Sequence, residues 1–333
     1  MGWRTLGVAA VAVLAATAAV TPAAAAETPH WQATLLPLPA DSPNTKGYLF
    51  GADGHGGYAG MLMTATGLAV TTWNNGQVVE HGGPNGDDFP FVHGESRDDT
   101  VLVSSSQGST FTLDRAGVYH PVPTGSFTNV FASVIGPRGD LAGTATDPAD
   151  PSKTVVLYWP SSRQEPLVQA AALPNSTPQA IDDDATVLLN HADGAYLLRK
   201  GVVRKLAVPT GYGHSDAFSI RRGVVAGDAA AADGTAGSGL LWRSPDSPQP
   251  LENSAFALNA NSHGLSVGEE YVSNAIHGPV AVWLGGRELG RLPAPDGLPT
   301  IGGRFVGEDG TIAGVASDRS LDEGGRPVVW RLI

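Results

Sequence analysis

"GPVAVWLGGRELGRLPAP", Gly278 to Pro295, decides the fold. Apolar residues run up to Trp283, the chain turns at Gly285-Gly286, and a second short strand pattern follows. The same start recurs at the end of the chain as "RPVVWRLI", Arg326 to Ile333, but nothing follows it there. Working outward, the Trp-bearing strand is found again in "LAVTTWNNGQVVEHG" (Trp73), "VVLYWPSSRQEPL" (Trp159) and "GLLWRSPDSPQPL" (Trp242). "STFTLDRAGVYHPV" and "GAYLLRKGVVRKL" are weaker copies, with Leu113 and Leu198 in the Trp position. The seven anchors recur every 39–47 residues, a repeat period that takes precedence over any local reading.

A second anchor precedes each of these, a turn followed by a short strand that often ends in Gly. "GHGGYAG", "GPRGDLAG", "RRGVVAG", "NSHGLSVG" and "GEDGTIAG" carry it, and "RDDTVLV" and "DDDATVLL" are degenerate copies. One more apolar stretch stands before each turn, such as "AFSI" (Ala217 to Ile220) or "AFALN" (Ala255 to Asn259). Each repeat therefore reads as four strands, a to d, which is the size of one propeller blade. The expected fold is all-β, a seven-bladed β-propeller of four-stranded blades. The inner strands are expected to carry small or β-branched residues around a crowded axis, and the Trp anchors to pack between blades. The missing d strand of the last blade is expected from the N-terminal segment "WQATLLPLPADSP", at about residues 32–39. That would close the ring and remove two open sheet edges.

Residues 1–26 read as a secretory signal peptide. Arg4 is followed by the apolar run Leu6 to Val20 and by "AAAA" (Ala23 to Ala26) as a small-residue cleavage site. Residues 27–333 are then one propeller domain, secreted and expected to be a monomer, with no membrane span. With no cysteine, the exported domain must be held by its core alone. A net charge of −12 argues against nucleic acid as a partner. The 43 Gly and 25 Pro fit short strands and many turns.

The repeat resembles the HAF family of extracellular repeats, best in "ALNANSHGLSVG…GPVAVWLGGRELGRL" (Ala257 to Leu292). The His-Ala-Phe triplet itself is absent, with "VAV", "GLL" and "PVV" in its place. The resemblance implies a secreted propeller-like repeat protein and carries no catalytic residues.

Catalytic patterns are weak. "GHSDA" (Gly213 to Ala217) approximates a nucleophile elbow around Ser215, but no helix pattern follows. "SLDEGGRPVVW" matches an Asp-box at Ser320, Asp322 and Gly324, with its aromatic too distant. His55, His81, His93, His120, His191, His214, His263 and His277 show no ligand spacing, and Asp182 to Asp184 read as a polar a–b turn. No cofactor is expected, although a loop-bound cation such as calcium stays open.

Topology places the b–c and d–a connections on one face of the ring, and there the loops are long and uneven. Functional residues concentrate on such loops. The candidate binding residues are Asp87, Asp88, Asp147, Asp150, Tyr212, His214, Asp228, Asp233, Glu269, Glu270, Asp318 and Asp322. They predict an anionic face for a non-enzymatic interaction protein that binds a protein, a glycan or a cation at the cell surface or in the medium. The alternative is a lyase or hydrolase at the mouth of the central channel. A cluster of His, Arg, Tyr or Glu converging on the axis would favour it, whereas a channel lined by Ala, Ser, Val and Gly would favour binding.

Overall fold

The computed structural model describes residues 29–42, 45–65, 67–170, 173–231, 237–273 and 278–333. The predicted signal peptide lies outside them, as do Asp233 and His277. Seven four-stranded antiparallel sheets form a β-propeller, each sheet ordered a-b-c-d from the axis outward. The inner a strands are Gly47–Ala52, Phe91–Glu95, Phe131–Ile135, Thr177–Ile181, Tyr212–Arg221, Ser254–Ala260 and Thr300–Val306, which define blades 1 to 7. Among the described residues there is no α-helix, only two short 3-10 turns, and so no helix long and apolar enough to cross a membrane.

The ring closes through the N-terminal segment. Trp31–Leu35 pairs antiparallel with Arg326–Leu332, in register from Trp31 opposite Leu332 to Leu35 opposite Val328. It supplies the d strand of blade 7, slightly shorter than the stretch predicted from sequence, because Leu-Pro repeats after Leu35 cannot continue the ladder.

The core consists of seven apolar clusters, one in each seam between neighbouring blades. Trp73, Trp159, Trp242, Trp283 and Trp330 are fully buried, and each faces the blade before it. A buried Trp removes some 150–250 Å² from water, worth roughly 4–6 kcal/mol before ordering costs. Its indole N–H must also be satisfied. Nε1 of Trp73, Trp159, Trp242, Trp283 and Trp330 donates to the carbonyl of Pro37, Pro123, Ala207, Glu252 and Pro293, respectively, at 2.6–2.8 Å. Each acceptor lies just past the d strand of the preceding blade, so the bond ties consecutive blades together. Blade 2, with Leu113 in the Trp position, substitutes another donor: the Tyr119 hydroxyl reaches the Gly82 carbonyl after the d strand of blade 1, at 2.7 Å.

This lock generates a stability prediction. Trp242→Phe keeps most of the apolar fill but strands the Ala207 carbonyl, and should cost roughly 1–3 kcal/mol. Urea unfolding of the two proteins measures it, and a difference under about 0.5 kcal/mol would show that packing alone holds the seam.

Candidate functional site

On the b–c and d–a face, most of the acidic side chains expected to attract a ligand are occupied with the loops themselves. The Asp87 carboxylate accepts from the Ser106 backbone N–H, the Ser106 hydroxyl and the Phe89 N–H. Asp147 accepts from Ala149 N–H, and Asp150 from Ser152 while pairing with Lys153 at 2.7 Å. Asp318 pairs with Lys46 at 2.8 Å, which joins blade 7 to blade 1. Asp322 sits in a one-turn 3-10 helix capped by Ser320, so the Asp-box-like stretch is a loop brace. Glu269 and Glu270 lie on the b strand Leu265–Glu270 rather than in a loop. Glu270 holds Arg291 through two contacts of 2.6 Å, and Glu269 accepts from Gly278 N–H at 3.1 Å. Asp88 is exposed. These residues are spread around the ring and do not converge.

One group does converge. In blade 5 the a strand Tyr212–Arg221 has 10 residues and the b strand Val224–Ala231 has 8, against five to seven and four to six elsewhere. The pair forms the longest a–b ribbon among the described residues, so Tyr212, His214 and Asp228 stand on strands and not in the loops predicted for them. Asp228 is directly opposite Asp216 in this ladder. Like charges so placed repel. The His214 imidazole lies 3.5 Å from the Asp216 carboxylate. Burial pushes the Asp228 carboxyl up to about 6, and Asp216 adds to the rise, while a backbone hydrogen bond from Asp216 and the charge of His214 oppose it. The next strand carries Gly239 opposite Asp228, backed by Ser254 and Phe256 of blade 6.

Asp216 was not among the residues singled out from sequence. Counting back from the two-residue turn Arg222-Gly223 would place Asp216 opposite Ala229, but the register shifts between Ala217 and Ser219 and brings the two carboxylates together. Ser215, the elbow candidate, is buried within the same strand, so it is not presented on a strand-to-helix turn.

Every inner strand carries such a bulge. The extra residues are Phe50, His93, Ser133, Gln179, Phe218, Leu258 and Arg304. The expectation of small or β-branched inner residues therefore holds at Ser133 but fails at the other six bulges. A bulge turns its residue out of the seam, where there is room for bulk and polarity. Phe50, His93, Gln179 and Phe218 line an axial cavity of about 140 Å³. The Arg304 guanidinium lies over the Phe50 ring at 5.4 Å. His93 bonds Ser104 at 2.8 Å and packs edge-on against Phe131. Among the described residues, no group of three or more His, Asp or Glu side chains is placed to hold a metal ion. On the a–b side of the ring, between blades 4 and 5, a groove of about 870 Å³ gathers Arg199, Lys200, Arg204, Arg222 and Arg243 beside Asp182, Asp183 and Asp184.

No family model matches the chain, and no curated protein matches it. Among solved structures, a putative TolB from Agrobacterium tumefaciens is 17% identical over 57% of this chain and 75% of that one, with a TM-score of 0.42. The β-propeller domain of the Trilobed protease from Pyrococcus furiosus is 11% identical over 75% of this chain and all of its own, at 0.45. YCF48 bound to D1 peptide is 8% identical over 91% and 96%, at 0.49. These are similarities of architecture, and what those proteins bind or cleave does not transfer.

The Asp216–Asp228 pair generates a pH prediction. An acid whose folded pKa is raised stabilises the fold below its unfolded value, near 4, and loses that contribution as the pH rises to about 6. Asp228→Asn should remove this slope, leaving the variant more stable than wild type at pH 7 by roughly 1 kcal/mol after allowance for partial exposure. Denaturant unfolding at pH 4 and pH 7 tests it; identical slopes would show that Asp228 titrates as an ordinary carboxylate.

Proposed function

We propose that the chain is an exported, non-enzymatic binding propeller. Its partner docks on the b–c and d–a face, with the blade 5 ribbon as the anchor. The observation that carries this reading is the Asp216–Asp228 pair on the longest a–b hairpin among the described residues. Among the described residues neither carboxylate forms an ion pair with a Lys or Arg; Asp216 has only His214. Two adjacent carboxylates without a cation suit a basic segment of a protein partner, whose charge would relieve their repulsion. The apolar run before residue 27 and the HAF-like repeat support an extracellular setting, and propellers commonly serve as interaction scaffolds.

A second reading, a lyase or hydrolase at the channel, draws support from His93, Glu95 and Arg221 on the axial cavity and from Arg304 at the blade 7 bulge. Against it, His93 Nε2 is bonded to Ser104 at 2.8 Å, and among the described residues no carboxylate is hydrogen-bonded to the imidazole as an acid–base partner.

The test is capture with residues 27–333 immobilised, from cell-surface extracts, in parallel with the Asp216→Asn, Asp228→Asn double variant. A basic protein held by the native form, released by salt, bound more tightly at pH 7 than at pH 5 and lost in the double variant is the expected result. Equal retention by both forms removes the ribbon from the interface, and retention of a glycan or a free cation instead would replace the basic-segment partner.

A further inference from the structure

The seven blades provide an internal control, because equivalent positions face equivalent surroundings. Two residues past each bulge, the inner strand returns a side chain to the axial end of the seam with the preceding blade. These residues are Ala52, Glu95, Ile135, Ile181, Ile220, Ala260 and Val306. Six are apolar and one is Glu95. Glu95 is 6% exposed, and both its carboxylate oxygens are shielded from solvent without a hydrogen-bond partner. A buried carboxyl left unpaired opposes folding, so nothing in the packing of the seam accounts for it.

The next position opens the a–b turn and holds Asp53, Ser96, Gly136, Asp182, Arg221, Asn261 and Gly307. Where it is Asp, Asn or Ser, the side chain ties down backbone. Asp53 accepts from His55 and Gly57 N–H, Asn261 from His263 and Leu265 N–H, and Ser96 from Thr100 N–H. Asp182 accepts from the N–H groups of Arg222 and Gly223 in the neighbouring blade. Arg221 has no acceptor and cannot serve in this way. Its side chain reaches instead toward the far side of the ring, where a guanidinium nitrogen is 3.9 Å from the place a Cβ would occupy on Gly54 in the turn of blade 1. The nearby acids are engaged elsewhere: Asp183 with Arg97 at 2.8 Å and with Arg222 at 3.3 Å, and Glu308 with Ser262. Among the described residues, the Arg221 side chain has no hydrogen bond or ion pair.

Glu95 and Arg221 both line the axial cavity, with Phe50, Ile135, Ile181, Phe218 and Ile220. Its volume of about 140 Å³ is close to the ~150 Å³ of an engineered cavity that takes benzene. We propose that this chamber is a binding site for a small organic acid that also carries a hydrogen-bond donor, an α-hydroxy or α-amino acid. The ligand's carboxylate takes the Arg221 guanidinium, its hydroxyl or ammonium group takes the Glu95 carboxyl as that side chain turns from the seam into the chamber, and its short apolar chain lies against the Phe and Ile walls. The site lies at the axis, apart from the blade 5 ribbon on the loop face, and does not depend on that reading.

Calorimetric titration of residues 27–333 with L-lactate and L-alanine, using propionate and ethylamine as half-ligands, tests the proposal. One of the two acids should bind at least tenfold more tightly than either half-ligand. Arg221→Gln should weaken that binding at least tenfold. Glu95→Ile installs the residue that blades 3, 4 and 5 use, so it should fold, melt higher than wild type, and lose the ligand. Asp216→Asn with Asp228→Asn should bind as wild type, which separates this site from the loop face. No heat above dilution with either acid, or wild-type affinity in Arg221→Gln and Glu95→Ile, overturns it.

Discussion

The indole N–H of a buried Trp, bonded to a carbonyl at the end of the preceding blade, is the contact on which the ring depends. A four-stranded blade has two apolar faces and cannot exist alone. The Trp fills the seam and its N–H dictates where the neighbouring blade must place a carbonyl. Apolar area is non-directional and would tolerate a slipped blade, whereas the hydrogen bond does not. Blade 2 meets the requirement differently, while blade 4 places Leu198 in the apolar seam at this position. Blade 2 has Leu113 in the seam and delivers the donor from Tyr119 on its outer strand. The same logic accounts for closure, because Trp330 in the last blade and the segment Trp31–Leu35 beside it need each other to complete blade 7.

This is why the architecture was legible in the sequence. Trp before a turn and Gly at the end of a b strand each answer to a local geometry, and each recurs in five of the seven blades. Gly60, Gly143, Gly227, Gly268 and Gly314 occupy positions where a Cβ would lie 1.9–2.1 Å from a carbonyl oxygen of the adjacent a strand. So close an approach leaves no room for a side chain in these five blades, whereas Val103 and Leu189 take the position in blades 2 and 4. The two blades without Trp kept enough of the strand pattern for their spacing to be counted.

The axis and the charged face were less legible, for separate reasons. A bulge adds one residue without altering composition, and it reverses which side chains face the seam. The inner strands therefore looked like ordinary alternating strands, although Phe50, Gln179 and Phe218 point out of that alternation into the cavity. The loop acids were visible as charges, but their number said little about a ligand. A long loop needs acceptors for its own N–H groups, and Asp supplies them at short range. Asp87, Asp147 and Asp150 are consumed in this way. What distinguishes Asp216 and Asp228 is their register, which depends on the Phe218 bulge and cannot be read from residue type.

A repeat protein offers a sharper criterion than charge or exposure. Where seven positions share one environment, the residue that the fold requires is the one most of them carry, and a departure that the environment penalises must be explained by something outside the fold. By that standard the exposed acids are unremarkable, since a loop of any composition would do. Glu95 is different, because its seam position is apolar in the other six blades and its carboxyl is shielded and unbonded. Arg221 is different for a complementary reason. It occupies a position that elsewhere is Gly or ties down backbone, and in blade 5 the two-residue turn at Arg222-Gly223 has made that tie unnecessary. The shorter turn frees the position, and the freed position carries a cation across the axis. Each departure alone could be drift in a tolerant scaffold. Opposite in charge, from different blades, and on the walls of one cavity, together they have the form of a recognition site.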